Sequence, residues 1–125
     1  MLLTTYIVED SPVIRENLIA TLEETVPLHV IGCADDETSA VNWLAEPVNQ
    51  PDLIIIDIFL KNGSGLGVLL AAGRTHQRSR LIVLSNYATP EMRRKCLELG
   101  ATRVFDKTNE IDALIEYCST LRDAR

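Results

Sequence analysis

The sequence predicts a doubly wound α/β domain, with a five-stranded parallel sheet in strand order 2-1-3-4-5 and five helices on its two faces. Two observations predict it. Short apolar runs alternate with helix-period segments along the whole chain, the pattern of consecutive β-α units. Leu53-Ile54-Ile55-Ile56 is apolar at every position, as a strand buried on both faces of a parallel sheet must be.

The elements follow in order. Tyr6-Ile7-Val8 is the first strand and stops at Glu9-Asp10. Ser11-Pro12 reads as an N-cap with proline at the first helical position. Val13, Leu18, Ile19 and Leu22 carry that helix to about Val26, and Pro27 closes it. Leu28 to Cys33 is the second strand. Ala40, Val41, Trp43 and Leu44 mark a second helix ending before Pro47, with Trp43 assigned to packing. The Leu53–Ile56 strand leads to Asp57, and Lys61-Asn62-Gly63-Ser64-Gly65 is a loop. Leu66, Leu69, Leu70 and Ala72 carry a third helix. Leu81 to Leu84 is a strand ending at Ser85. Thr89-Pro90 opens a fourth helix through Leu99, terminated by Gly100. Arg103-Val104-Phe105 is the last strand and ends near Lys107. Ile111, Leu114, Ile115, Cys118 and Leu121 line the face of a final helix.

Composition narrows the function. The 125 residues suit one domain, 1–125. The net charge of −6 disfavours direct nucleic-acid binding and an anionic membrane surface. No apolar run approaches a membrane span, and the N-terminal stretch lacks a basic secretory n-region. Cys33, Cys96 and Cys118 show no metal-ligand spacing and read as buried or half-buried free thiols in a reducing cytoplasm.

The chemistry gathers at strand ends. Glu9 and Asp10 end the first strand, Asp57 the third, Ser85 the fourth and Lys107 the fifth. In a flavodoxin-like sheet these ends meet at the switch point between strands one and three. Three carboxylates in one pocket repel one another unless a cation joins them. A hard divalent ion with oxygen ligands, Mg²⁺, answers that need, with Mn²⁺ as a substitute. Lys107 adds a mobile point charge and Ser85 a hydroxyl donor. This set suits a phosphoryl group, whose transfer needs positioning and charge neutralisation, with Asp57 as the nucleophile.

The sequence resembles a response-regulator receiver domain of two-component signalling. The matching features are Ile7-Val8-Glu9-Asp10-Ser11, Ile54-Ile55-Ile56-Asp57, Gly63-Ser64-Gly65-Leu66, Val83-Leu84-Ser85-Asn86 and Leu99-Gly100-Ala101 through Asp106-Lys107. The resemblance implies that a sensor histidine kinase or phosphotransfer protein phosphorylates Asp57. It implies Mg²⁺ on Asp10, Asp57 and the backbone carbonyl of Phe59, with Glu9 acting through a metal-bound water. Ser85 and Lys107 would contact phosphate oxygens and, with Asp57, carry the chemistry. The face of helix four, strand five and helix five would then switch a downstream protein or a fused output domain. The expectation is a phosphoacceptor with self-catalysed phosphorylation and autodephosphorylation, not an enzyme. No output domain reads from the chain, which is therefore either a stand-alone receiver or one excised from a longer regulator. No motif specifies a homodimer, which the resemblance allows through the fourth-to-fifth-helix face.

Some positions depart from the family. Val104 stands where relatives often carry a switching aromatic, and Tyr87 is the candidate to take over part of that role. Phe59 and Tyr87, each two residues past a site residue, would hinder hydrolytic water and lengthen the phospho-Asp57 lifetime. Thr108 replaces a common proline, so a trans bond is expected there. Lys61 also stands where many relatives have proline, which predicts a freer loop. Arg93-Arg94-Lys95 reads as a solvated helix face, with partner docking as the alternative, and His29 and His76 receive no role. A haloacid-dehalogenase-type phosphatase needs a second aspartate two residues after its nucleophile, and Phe59 occupies that place. A receiver-like interaction domain that is never phosphorylated is the remaining alternative.

Overall fold

The chain alternates strand and helix from end to end, and the computed structural model describes residues 2–124, with side chains through Leu121. Met1 and Arg125, the ends of the expected 1–125 domain, lie outside the described residues. The elements are β1 (Leu3–Val8), α1 (Pro12–Thr25), β2 (Leu28–Ala34), α2 (Glu37–Ala45), β3 (Leu53–Ile56), α3 (Gly65–Thr75), β4 (Arg80–Ser85), α4 (Pro90–Glu98), β5 (Arg103–Asp106) and α5 (Ile111–Ala124). The sheet is parallel with order β2-β1-β3-β4-β5, as the sequence predicts.

Strand pleating divides the core. Tyr6, Val8, Ile54, Ile56, Val83 and Val104 pack on the face covered by α2, α3 and α4. Leu3, Ile7, Leu53, Ile55, Ile82, Leu84 and Phe105 pack on the opposite face against α1 and α5. The period of two in side-chain direction produces this split, and both faces need apolar residues because both are covered. Burying one such side chain is worth about 1.5–3 kcal/mol, so β3, buried at every residue, anchors the sheet.

Element ends depart from expectation for local reasons. β1 starts at Leu3, before the expected Tyr6. Thr4 and Thr5 join it because Asp52 accepts from the Thr4 N–H at 2.9 Å and β-branched threonine suits a strand. α2 starts at Glu37, where Asp36 accepts from the Ser39 N–H at 2.7 Å as the N-cap. α4 ends at Glu98, and Leu99 is its C-cap. Ser11, Ser64 and Thr89 cap α1, α3 and α4 with their hydroxyls. Trp43 does pack, stacking on Tyr6 at a centroid distance of 3.8 Å. His76 is buried, with Nε2 2.8 Å from the Leu44 carbonyl oxygen. Cys96 and Cys118 are buried as expected, but Cys33 is exposed, because it lies on an outward position of the edge strand β2. All described peptide bonds are trans, including the one before Thr108.

Candidate functional site

The site forms at the carboxyl ends of the central strands, where strand order reverses between β1 and β3. Backbone bonds continue past the strands and fix the positions that follow. The Glu9 N–H donates to the Ala34 carbonyl at 2.9 Å, the Asp57 N–H to Val8 at 2.9 Å, and the Lys107 N–H to Ser85 at 2.9 Å. Glu9, Asp57 and Lys107 are thus each held by the strand beside their own.

Glu9, Asp10 and Asp57 each bring a carboxylate oxygen to within 4.8 Å of the others. Glu9 and Asp57 are buried and Asp10 is half-buried. Lys107 enters from beyond β5, and its ammonium donates to both Glu9 Oε1 and Asp57 Oδ2, the latter at 3.0 Å. Asp57 Oδ1 accepts from the Phe59 N–H at 3.3 Å, and Asp10 Oδ2 from the Lys61 N–H at 2.7 Å. Burial raises the Glu9 carboxyl above its usual range, and bonds from Lys107 and the Ser11 amide only partly offset this. Burial also disfavours the charged Lys107, but its bonds to Glu9 and Asp57 outweigh that, and its pKa lies above the ordinary lysine value. Three acids and one ammonium make a concentrated negative site. Oxygen ligands of this kind and spacing fit a hard divalent cation.

The remaining expected residues surround this cluster. Ser85 is fully buried, and its Oγ accepts from the Tyr87 N–H at 3.1 Å. Phe59 and Tyr87, 49% and 63% exposed, meet edge to face with centroids 5.0 Å apart. Val104 is buried in the core on the α4 side. A groove of about 360 Å³ opens beside Lys107, lined by Ile14, Leu18, Leu84, Asn86 and Ile111 among others.

Two features were not legible in the sequence. The loop after β3 is not freer for lacking proline at Lys61. The Lys61 N–H holds Asp10, the Glu37 N–H donates to the Asn62 carbonyl at 3.2 Å, and the Ser64 N–H donates to Glu37 Oε1 at 2.8 Å. Arg93 is more than part of a solvated face. Its guanidinium donates to the carbonyls of Ala88 and Val104, each at 2.9 Å, and to Glu110 Oε1 at 2.5 Å. It ties the β4–α4 loop, β5 and the start of α5 together. Arg94 and Lys95 remain exposed.

The family model for the response regulator receiver domain matches residues 5–119. The chain belongs to this family. This receiver domain is 36% identical to the transcriptional regulatory protein CitB of Klebsiella pneumoniae, over 83% of the chain and 42% of that protein. It is 28% identical to a protein-glutamate methylesterase/protein-glutamine glutaminase of Pseudomonas savastanoi pv. phaseolicola, over 94% of the chain and 34% of that protein. The chain thus spans less than half the length of these curated relatives. Its fold matches a LuxR-family two-component response regulator from Aurantimonas sp. SI85-9A1, with a TM-score of 0.86 at 19% identity, covering 100% of this chain and 88% of that one. It also matches the response regulator domain of Thermotoga maritima CheB, with a TM-score of 0.80 at 23% identity, covering 99% and 96% of the two chains. The receiver domain places this chain in two-component signalling. Among the described residues, no helix is long and apolar enough to cross a membrane.

Proposed function

We propose that this receiver domain accepts a phosphoryl group on Asp57 from a phosphohistidine donor, a sensor kinase or phosphotransfer protein, in a Mg²⁺-dependent step. One observation carries the reading: Glu9, Asp10 and Asp57 converge within 4.8 Å while Lys107 bonds two of them. Asp10, Asp57 and the Phe59 carbonyl would hold the ion directly, and Glu9 through water. When bound, Mg²⁺ supplies the charge neutralisation that lets an anionic phosphoryl group approach three carboxylates.

The chain's own residues do the rest. A carboxylate oxygen of Asp57 attacks phosphorus, the P–N bond to the donor histidine breaks, and the imidazole leaves after taking up a proton. Lys107 swings its ammonium from the carboxylates to a phosphate oxygen. Ser85 gives up the Tyr87 amide and donates its hydroxyl to a second phosphate oxygen. That movement pulls on residues 85–88, whose Ala88 carbonyl is bonded to Arg93. The readout reaches α4, β5 and α5, the face offered to a downstream protein or a linked output domain. Phe59 and Tyr87 cover the approach of water and lengthen the lifetime of the acyl phosphate.

Incubation with acetyl phosphate and Mg²⁺ followed by intact-mass measurement tests this. The expected result is one added phosphoryl group, absent without Mg²⁺ and absent in Asp57→Ala. No mass increase in the wild type would refute it and leave a receiver fold used only for binding.

A further inference from the structure

We propose that Glu37, on an element that carries none of the site's acids, is a positioning residue that holds the β3–α3 loop in the shape the cation site needs. The inference rests on the phosphoacceptor reading above and adds a residue to its machinery.

Glu37 opens α2, and its half-buried side chain crosses to the loop between β3 and α3. The attachment is reciprocal. The Glu37 N–H donates to the Asn62 carbonyl at 3.2 Å, and Glu37 Oε1 accepts from the Ser64 N–H at 2.8 Å. Ser64 is the N-cap of α3, so the carboxylate also lies at the positive end of that helix.

The loop sequence is cut to receive this side chain. A Cβ at Gly63 would lie within 3.0 Å of the Glu37 Cβ, and one at Gly67 within 3.0 Å of Glu37 Oε2. Gly63 also has φ +85°, where side chains are strained. Gly63 and Gly67 therefore form the two walls of a slot with Glu37 inside it. Gly65, between them, admits the backbone of Asp57, because a Cβ there would overlap the Asp57 carbonyl oxygen.

The slot leads straight to the acidic cluster. Asn62 and Ser64 are pinned by Glu37, and the neighbouring Lys61 N–H holds Asp10 Oδ2 at 2.7 Å. Phe59, whose carbonyl is a proposed ligand, begins the same loop. Loss of the strap would leave Asp10 and the Phe59 carbonyl free to take other positions. Groups that hydrogen-bond a metal ligand, as the Lys61 amide does Asp10, typically change affinity by about 10-fold or more, and Glu37 acts through the loop that carries that amide. A cap that only stabilised α3 would change melting and leave cation dependence alone.

The test compares wild type with Glu37→Ala, Glu37→Asp and Glu37→Gln. Glutamine keeps the acceptor at full reach. Aspartate keeps the charge but falls one methylene short, and is a milder second variant should alanine unfold the domain. Two readouts are used: amide hydrogen exchange of Lys61 and Ser64 in metal-free protein, and Mg²⁺ titration followed by the shifts of those amides and by acetyl-phosphate labelling. Glu37→Ala and Glu37→Asp are expected to speed exchange at both amides and to raise half-saturating Mg²⁺ about 10-fold. The labelling rate at saturating Mg²⁺ should change far less, and Glu37→Gln should stay near wild type. Unchanged exchange, or superimposable Mg²⁺ titrations, would overturn the inference while normal labelling left the phosphoacceptor reading intact. A wild type that binds Mg²⁺ in a Glu37-dependent way but takes no phosphoryl group would overturn that reading alone. A wild type that shows no Mg²⁺-dependent shift overturns both.

Discussion

Lys107→Met is the sharpest test of how this site is balanced. Methionine keeps most of the lysine stem and removes the charge, so packing changes little. The ammonium bonds two acids, and the side chains of Lys107, Glu9 and Asp57 are only 11%, 4% and 9% exposed. Breaking a buried ion pair by deleting one partner costs about 3–5 kcal/mol. The lower end applies, because a stranded carboxyl can take up a proton instead of remaining charged. About 3 kcal/mol is a large share of the ~5–15 kcal/mol that holds a domain together. For a domain of this size it lowers Tm by about 10 °C. The pH dependence follows from Glu9, whose carboxyl already sits above its usual range. Without Lys107 it climbs further, so the folded state binds this proton more tightly than the unfolded chain. Stability from a raised carboxyl is present at low pH and lost as pH rises through the folded value. The deficit should therefore be small near pH 5 and larger near pH 7. Saturating Mg²⁺ should narrow it, because a bound cation supplies the missing charge. Asp57→Asn in the Lys107→Met background should recover part of it by removing one acid, a coupling that a double-mutant cycle measures. Urea unfolding at two pH values, with and without Mg²⁺, reads all of these effects. A variant as stable as wild type at pH 7 without Mg²⁺, or a deficit that Mg²⁺ leaves unchanged, would refute the reasoning.

Phe59→Asn combined with Tyr87→Ala should speed autodephosphorylation about 10-fold, a barrier change of ~1.4 kcal/mol, followed as loss of the phosphorylated mass. A wild-type half-life of seconds would contradict the shielding argument. Arg93→Ala should lose below ~1 kcal/mol from the pair with Glu110, which is about a third exposed and screened by solvent, and a further pH-independent part from its bonds to the Ala88 and Val104 carbonyls. Arg93 holds the Glu110 carboxyl below its ordinary value, so the contribution is present above that value and lost as pH falls through the lowered one. The gap between Arg93→Ala and wild type in urea should narrow on acidification to the part due to the carbonyl bonds, and a gap that widens would exclude the pair as its cause.

What was legible in the sequence divides along physical lines. Strands buried on both faces show in consecutive residues, so Leu53 to Ile56 and Leu81 to Leu84 announce themselves. Strand order then brings Glu9, Asp10, Asp57 and Lys107 together without any further local signal. The first strand extends before its apolar run because Thr4 and Thr5, polar by type, are β-branched, and Thr5 is fully buried. Long-range polar reach was not legible at all. Glu37 meets Ser64 across 27 residues and Arg93 meets Glu110 across 17, and no periodicity records such pairs. The traces of the first are Gly63, which a turn explains equally well, and Gly67, a helical glycine whose reason shows only when the Glu37 side chain is seen beside it.

The same contrast bears on the proposed output face. Val104 signals a missing aromatic switch, and from sequence that reads as a loss. In the structure Val104 is buried, and its carbonyl accepts from Arg93, which also holds Ala88 and Glu110. Ala88 directly follows Tyr87, whose amide is bonded to Ser85 Oγ. Under the proposed phosphoacceptor role, a displacement of Ser85 would reach this guanidinium, which joins the β4–α4 loop, β5 and the residue before α5, through one short loop. An aromatic ring that changes rotamer needs a cavity to enter, whereas a hydrogen-bonded guanidinium needs only one of its acceptors to move. With valine filling the core at position 104, the proposed switching would use the hydrogen-bonded route through Arg93 beside any movement of Tyr87.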